Sequence, residues 1–163
     1  MWPFRKRHKR PRIKRDENGN PYLELTEEEK RAIEDTLKQF EGHGIHRDYY
    51  DDITSGATAF ALANYATEQV MLSEDPTLEG NRLTLLDKAI AAITKAYSFY
   101  ELPIYIYDLA CFMEMADRND LARNVYRLFL DKQAKYKPRQ MDEAFTKERD
   151  IDEAVKDAKV KAT

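Results

Sequence analysis

The chain has 163 residues, and its 27 Lys and Arg side chains against 30 Asp and Glu give a formal net charge of −3. With 42% hydrophobic and 35% charged residues, the composition excludes a membrane-embedded protein and a compositionally disordered one. The single cysteine, Cys111, excludes an intramolecular disulfide and favours a reducing compartment. No apolar stretch resembles a signal peptide or approaches the ~20 residues that span a bilayer, so we expect a cytoplasmic protein.

The net charge hides a strong asymmetry along the chain. Residues 1–15 contain eight basic side chains and no acidic one, which leaves 19 basic and 30 acidic groups, a net of −11, in residues 16–163. Because like charges repel and such a segment buries little apolar surface, the pattern predicts a disordered basic arm before an acidic body. The arm residues expected to contact a partner are Trp2, Phe4, Arg5, Lys6, Arg7, Lys9, Arg10, Arg12, Lys14 and Arg15.

Two kinds of anionic surface suit this arm. Its cations can neutralise several phosphates of a nucleic acid, with steep salt dependence. They also suit an anionic membrane surface, where each basic residue contributes roughly 1 kcal/mol, and a peripheral position there is the alternative to a free cytoplasmic protein. Trp2 and Phe4 favour the membrane, because aromatic side chains settle at the lipid interface. A solvated tail and a latch onto the acidic body are further alternatives.

The first predicted elements follow the arm. Asn18-Gly19 is typical of a type I′ hairpin turn and would join short strands around Ile13 and 22–25. The acidic turn that begins at Thr26 then starts a helix over 26–41, because acidic side chains in a first turn favour the positive end of a helix.

The remaining body is predicted to be helical throughout. Apolar and small side chains recur at helical spacing, Pro103 suits the first turn of a helix, and Pro138 forces a break. The further helices are expected over 50–73, 81–100, 103–117, 120–136 and, as one amphipathic helix, within 141–160. This gives an all-α fold of about six helices. The expected parts are an arm with a short ribbon over 1–25, a helical domain over 26–136, and a C-terminal helix, capping or frayed, over 137–163.

Two segments of the body repeat each other. Residues 89–97 and 122–130 occupy corresponding positions 33 residues apart, and each follows a helix and a turn. The second unit resembles the tetratricopeptide repeat, a helix–turn–helix of about 34 residues, at Leu109-Ala110, Met113, Ala122 and Tyr126. The resemblance covers about half the chain (57–136) in two copies and implies antiparallel helical hairpins in a right-handed solenoid fragment. A plain up-down helical bundle is the alternative.

The resemblance also implies a place for a partner. First-helix side chains of this family line a concave groove that holds extended peptides or partner helices. Those positions correspond here to Ile104, Tyr107, Cys111, Glu114 and Met115. The aromatic residues between 97 and 107 either fill the core between hairpins or face this groove, with Tyr107 expected to be the most exposed. We therefore expect a non-catalytic adaptor that binds a protein or peptide segment. A nucleic-acid-binding protein that acts through the arm is the alternative.

The unit over 103–136 departs from the repeat pattern at two points. Phe129 stands in place of a small residue, and Asp117-Arg118-Asn119 stands in place of a glycine-centred turn. These departures concern the packing between the two helices of a hairpin and the turn that joins them.

Signals for catalysis or metal binding are weak. His43 and His46 lie in a glycine-rich loop without the helical spacing or cysteine partners of a zinc site, so loop polarity explains them equally well. Cys111 would need a histidine base nearby to act as a nucleophile, and an inert apolar position suits it better. The chain has no phosphate-binding glycine loop, no Gly-x-Ser-x-Gly elbow and no paired cysteines. We expect no enzyme activity, no metal and no cofactor.

Overall fold

The computed structural model describes residues 13–15, 21–23 and 47–163, together with Glu17, Glu27 and Arg31, and in the helical body it describes side chains from residue 53 onward. Three predictions therefore lie outside the described residues. They are the arm up to residue 12, the helix over 26–41 apart from two of its residues, and the loop with His43 and His46.

A short antiparallel ribbon precedes the helices. β1 (Ile13–Arg15) pairs with β2 (Pro21–Leu23), and Arg15 lies opposite Pro21. A proline is tolerated at the first residue of a strand, where its missing N–H interrupts little of the ladder. Lys14 and Arg15, assigned above to the disordered arm, lie in β1, so the arm prediction now concerns residues 1–12 only.

The first helical hairpin consists of α1 (Arg47–Ser73) and α2 (Arg82–Phe99), which pack side by side. Small side chains let these two helices approach closely, and the fully buried ones on α1 include Ala59, Ala63 and Ala66. The connection is a 3-10 helix (Pro76–Asn81), whose start is capped by Asp75. Asp75 Oδ1 accepts a hydrogen bond from the amide of Thr77 at 2.9 Å, which satisfies one of the open backbone donors at that end.

The second hairpin consists of α3 (Pro103–Met115) and α4 (Asn119–Lys135). Pro103 occupies the first turn of α3, as predicted, because its missing N–H would have no helical partner there. Asp117 in the turn has a φ of 60°, a left-handed conformation that favours glycine but that aspartate tolerates better than most residues.

The four long helices predicted from the sequence are confirmed. Their observed ends differ by at most three residues from those predicted over 50–73, 81–100, 103–117 and 120–136. Differences of this size arise from fraying and capping at helix ends.

The C-terminal segment contains two helices where one was predicted within 141–160. α5 (Asp142–Thr146) and α6 (Ile151–Lys161) are separated by residues 147–150. The predicted amphipathic helix corresponds to α6, and the short α5 before it was not predicted as a separate helix. Asp150 caps α6 by accepting a hydrogen bond from the amide three residues later at 3.0 Å, and Arg149 turns into the core.

The described helices form an all-α body. α2 packs against α1 and α3, α3 packs against α4, α6 packs against α4 and α3, and α5 contacts α1. The largest fully buried side chains are mainly aromatic and include Tyr100, Tyr107, Tyr126, Phe112 and Phe129. In the part of the chain that the structure describes, no helix is both long enough and apolar enough to cross a membrane.

Candidate functional site

The five residues assigned to the predicted groove lie on α3, and α6 packs over this helix. Ile104, Tyr107 and Cys111 are buried, whereas Glu114 and Met115 are half-buried. Tyr107, the member of the aromatic cluster expected to face the groove, is fully buried, and its hydroxyl is bound to Asp157 of the chain's own C-terminal helix. The groove positions therefore do not form an open surface while α6 is docked. We call the residues of α3 and α4 that α6 contacts the α6-binding face, which consists of Tyr107, Glu114, Tyr126 and Arg127.

Polar contacts fix α6 on this face. Tyr107 Oη donates a hydrogen bond to Asp157 Oδ2 at 2.5 Å. Lys161 Nζ lies 3.1 Å from the same carboxylate oxygen and 3.2 Å from Glu114 Oε1, so one ammonium group joins α6 to α3. Burial first, and then the neighbouring Cys111 and Asp157, raise the pKa of Tyr107 above its usual range. The hydroxyl therefore stays protonated and remains the donor.

Beneath these contacts, alanines of α6 and aromatic rings of the body belong to one hydrophobic core. Ala154 and Ala158 are fully buried. The ring centroid of Tyr107 lies 5.8 Å from that of Tyr126 and 5.4 Å from that of Phe129, distances at which aromatic rings attract each other. Burial of one alanine methyl stabilises by only about 0.8 kcal/mol. Ile151 and Val155 of α6 also pack, partly buried, against the core, so α6 is held by a modest apolar surface as well as by its polar contacts.

The end of α6 is held by a separate contact. Arg127 Nε donates a hydrogen bond to the carbonyl oxygen of Ala162 at 2.9 Å, and Lys161 Nζ lies 5.5 Å from the centroid of the Tyr126 ring. A cation at the C-terminus of a helix meets the carbonyl groups that have no partner within the helix. α4 thus contributes Arg127, which binds the carbonyl group of Ala162, and the ring of Tyr126, which lies beside Lys161.

A buried ion pair ties the start of α6 to the middle of α3. The guanidinium of Arg149 makes two hydrogen bonds to the carboxylate of Asp108, at 2.9 and 2.5 Å, and the side chains are only 4% and 1% exposed. Burial acts to lower the pKa of Arg149, but Asp108 outweighs it and the pKa is raised. The guanidinium therefore stays charged, and the two-point geometry of the pair fixes where the chain enters α6.

Cys111 lies within this region, but its chemistry is that of an inert thiol. Tyr126 Oη donates to its Sγ at 3.3 Å, and burial raises the pKa of Cys111 to about 12. A thiol with such a pKa is protonated at neutral pH, whereas a nucleophile or metal ligand must be a thiolate. Among the described residues there is no group of three or more His, Cys, Asp and Glu placed to hold a metal.

A second polar cluster holds α5. Asp142 Oδ1 accepts a hydrogen bond from Tyr100 Oη at 2.7 Å, and Asp142 Oδ2 accepts one from Tyr136 Oη and one from the amide of Arg139 at 2.9 Å. Burial, and then the bond to Asp142, raise the pKa of Tyr136 to about 12. Phe145 packs beside the ring of Tyr100 with centroids 5.4 Å apart, which completes the attachment of α5.

Sequence reasoning did not single out Arg149, Asp157 or Lys161, which make most of the polar contacts at this site. One usable signal was Asp108, the only charged residue in the apolar run 102–113. A charge buried in such a helix must be paired, because an isolated buried charge is costly. The partner could not be found from the sequence, since it lies 41 residues away in a segment with many charges.

Comparisons with protein-family models, with curated proteins and with solved structures returned no significant match for this chain.

Proposed function

We propose that this protein is a non-catalytic adaptor whose tetratricopeptide-like body binds a helical segment of another protein on the α6-binding face. The observation that supports this proposal is the seating of α6, an amphipathic helix of 11 residues, on the predicted groove positions Tyr107 and Glu114. A face that accepts one helix through an alanine stripe and two charged side chains suits another helix with the same pattern.

α6 is a weakly held occupant of this face. A helix of its length is marginal in isolation, and its outward side is unpacked, with Val160 73% exposed. The side chains of Lys161 and Glu114 are 33% and 41% exposed, and ion pairs of this kind contribute roughly 0–1 kcal/mol. Release of α6 therefore costs less than opening either hairpin.

Release need not disturb the rest of the C-terminal segment. The ion pair between Arg149 and Asp108 precedes α6 and is independent of the contacts that α6 makes. Residue 150 is thus the natural hinge, and α6 can leave while the chain before it stays attached. Because a tethered helix competes at an effective concentration in the millimolar range, a partner must bind more tightly than α6 or act where α6 is weakened.

The basic arm supplies the second part of the proposal, an electrostatic tether. Six cations in residues 1–12 and two more in β1 precede a body with a net charge of −11, so this end of the chain is the part suited to an anionic surface. The triple substitution Arg5→Gln, Lys6→Gln and Arg7→Gln removes charge without touching β1. We expect it to weaken binding to anionic vesicles in sedimentation assays, while neutral vesicles bind neither protein. Unchanged vesicle binding would contradict the tether, and equal loss of duplex DNA binding would favour a nucleic-acid partner instead.

A labelled peptide of residues 150–163 tests the helix-binding face with a defined probe. We expect the full-length Asp157→Asn variant to bind it about threefold to tenfold more tightly than the wild type, because its own α6 loses a hydrogen bond to a charged group. The Asp152→Asn variant is the matched control, since Asp152 lies on the exposed side of the same helix.

The same assay locates the binding face. Lys161→Gln is first added to the Asp157→Asn protein, so that its own α6 no longer uses Glu114; Glu114→Gln then removes only the contact for Lys161 of the peptide and should weaken its binding. A partner recovered by pull-down on the Asp157→Asn protein should then compete with the peptide. Peptide affinities that are the same in all variants, or a partner that binds without competition, would contradict the proposed face.

A further inference from the structure

A basic cleft lies on the side of the body where α2 and α4 end, apart from the α6-binding face. Its volume is about 440 Å³, and it is bounded by the end of α2, the first residue of α3, the last turn of α4 and the segment that follows. Its cationic lining consists of Lys132, Lys135, Lys137 and Arg139. Sites for small molecules in proteins have volumes of about 300–1,000 Å³, so the cleft is of sufficient size for one.

The cleft is basic, whereas the body as a whole is acidic. Residues 132–139 contain four basic side chains and no acidic one, within a body whose net charge is −11. Two acidic residues, Glu101 and Asp131, also line the cleft, and Asp131 Oδ1 lies 2.9 Å from Lys135 Nζ. The lining thus has two more cations than anions. This surplus raises the local concentration of anions.

The dipole of α4 does not explain all four cations that line the cleft. Lysines in the last turn of a helix are stabilised by the negative end of its dipole, and this accounts for Lys132 and Lys135. Lys137 and Arg139 lie beyond the end of the helix, where the dipole has little effect. Arg139 is placed by its contacts with Asp142, Tyr136 and Tyr100, so Lys137 is the cation at the cleft that neither the dipole nor these contacts explain.

Arg139 is held in place before any ligand binds. Its guanidinium carbon lies 3.6 Å from the centroid of the Tyr100 ring, its Nε lies 3.3 Å from Tyr136 Oη, and its amide is bound to Asp142 at 2.9 Å. Its side chain is nevertheless 33% exposed. Nη2 of this guanidinium is buried and Nε is bound to Tyr136, so its exposed part offers one donor nitrogen to a phosphate oxygen, and little side-chain entropy is lost on binding.

The walls of the cleft add flat apolar surface to these cations. Tyr97, Pro103 and Tyr136 contribute two aromatic rings and a proline ring. Aromatic faces suit the stacking of a flat ring, and cations suit the attached phosphates. We infer that this cleft binds a small phosphorylated molecule that contains a flat ring, such as a nucleotide. This goes beyond the adaptor function and does not depend on it.

Titration calorimetry of the full-length protein with ATP tests the inference. The Lys132→Gln/Lys137→Gln variant should bind ATP about tenfold more weakly, because two exposed cations that face the ligand are lost. The matched control is Lys88→Gln/Lys156→Gln, which makes the same change in net charge at two exposed positions on other surfaces of the body. The control should bind ATP as the wild type does.

Two comparisons separate the cleft from the basic arm and the ring from the phosphates. Equal loss of affinity in the two double variants, or no loss in either, would assign ATP binding to the arm or to net charge and would overturn the inference. Adenosine and tripolyphosphate are the remaining probes, and both should bind more weakly than ATP. Tripolyphosphate that binds as tightly as ATP would overturn the role of the ring.

Discussion

The two hairpins and the C-terminal segment are held by different forces. α2 buries five apolar side chains at helical spacing, whereas α6 fully buries two alanines, Ala154 and Ala158, and partly buries Ile151 and Val155. In place of apolar area, the C-terminal segment has individual polar attachments, at Arg149, Asp157 and Asp142. Apolar periodicity therefore builds the hairpins, while single side chains place the segment that covers them. Substitutions should therefore separate the two regions.

The largest effect is expected from the hairpin core. Phe112 on α3 is fully buried, and its replacement by alanine leaves a cavity that costs about 3–5 kcal/mol in the free energy of unfolding. Urea denaturation followed by circular dichroism should show one transition in which the hairpins and the C-terminal segment unfold together. Leu128→Ala on α4 is the control, because Leu128 is 45% exposed and should cost less than about 1 kcal/mol. Similar losses in the two variants would contradict a core centred on α3.

The second-largest effect is expected from the buried ion pair between Arg149 and Asp108. Arg149→Met leaves the carboxylate of Asp108 buried without its charge partner, which costs about 3 kcal/mol or more. The double variant Asp108→Asn/Arg149→Met should recover part of that loss, because neither charge is then left alone. Arg123→Met breaks an exposed pair with Asp120, at 3.6 Å, and should cost almost nothing. If Arg149→Met cost as little as Arg123→Met, the ion pair would not be the attachment of this segment.

A smaller effect is expected where α5 meets α1. A Cβ atom at Gly56 would lie 2.3 Å from a ring carbon of Phe145, so Gly56→Ala forces this ring to move, at about 1–3 kcal/mol. Gly80→Ala is the control, because no atom lies within 4 Å of its Cβ position. Gly56→Ala made in a Phe145→Ala background should cost little further. An equal cost of Gly56→Ala in both backgrounds would show that the two residues do not touch.

Alkaline pH should destabilise the folded body, because its buried hydroxyl and thiol groups lose their protons there. Burial raises the pKa of Cys111 from 9.0, and that of Tyr136 from 10.0, to about 12 in each case. The folded state therefore holds these protons more tightly than the unfolded chain, so their contribution to stability is complete below the unfolded values and is lost toward about pH 12. Urea denaturation of Cys111→Ala across this range should show a shallower loss that begins at higher pH. If the stability of Cys111→Ala fell with pH as it does in the wild type, ionisation of the Cys111 thiol would not contribute to the loss.

The hairpins could be predicted from the sequence because their cause is local and periodic. Leu86, Ala89 and Ile93 recur at the spacing of a helix, and all three are buried. Pro103 and Pro138 also act locally, since a proline restricts its own turn of the chain. Helices joined by a short connection pack side by side, α1 with α2 and α3 with α4, and both a helical repeat and a plain up-down bundle predict this pairing.

The covering of the predicted groove could not be predicted, because it depends on contacts between distant residues. Tyr107 and Asp157 are 50 residues apart, and Arg149 has Asp108 as its partner. The sequence of the C-terminal segment predicts a solvated helix, because charged residues alternate in sign there. Which of those charges are buried is decided only by how the segment packs on the body.

Hydrogen exchange of backbone amides in the full-length protein, measured residue by residue, tests most directly whether α6 is a separable cover. We expect the amides of α6 to exchange through an opening of lower free energy than those of α3 and α4. The Asp157→Asn variant should speed exchange in α6 and leave the two hairpins unchanged, whereas Asp152→Asn should change neither. If the amides of α6, α3 and α4 exchange with one common free energy that shifts together in Asp157→Asn, then α6 is an integral part of the fold and not a cover that a partner helix can replace.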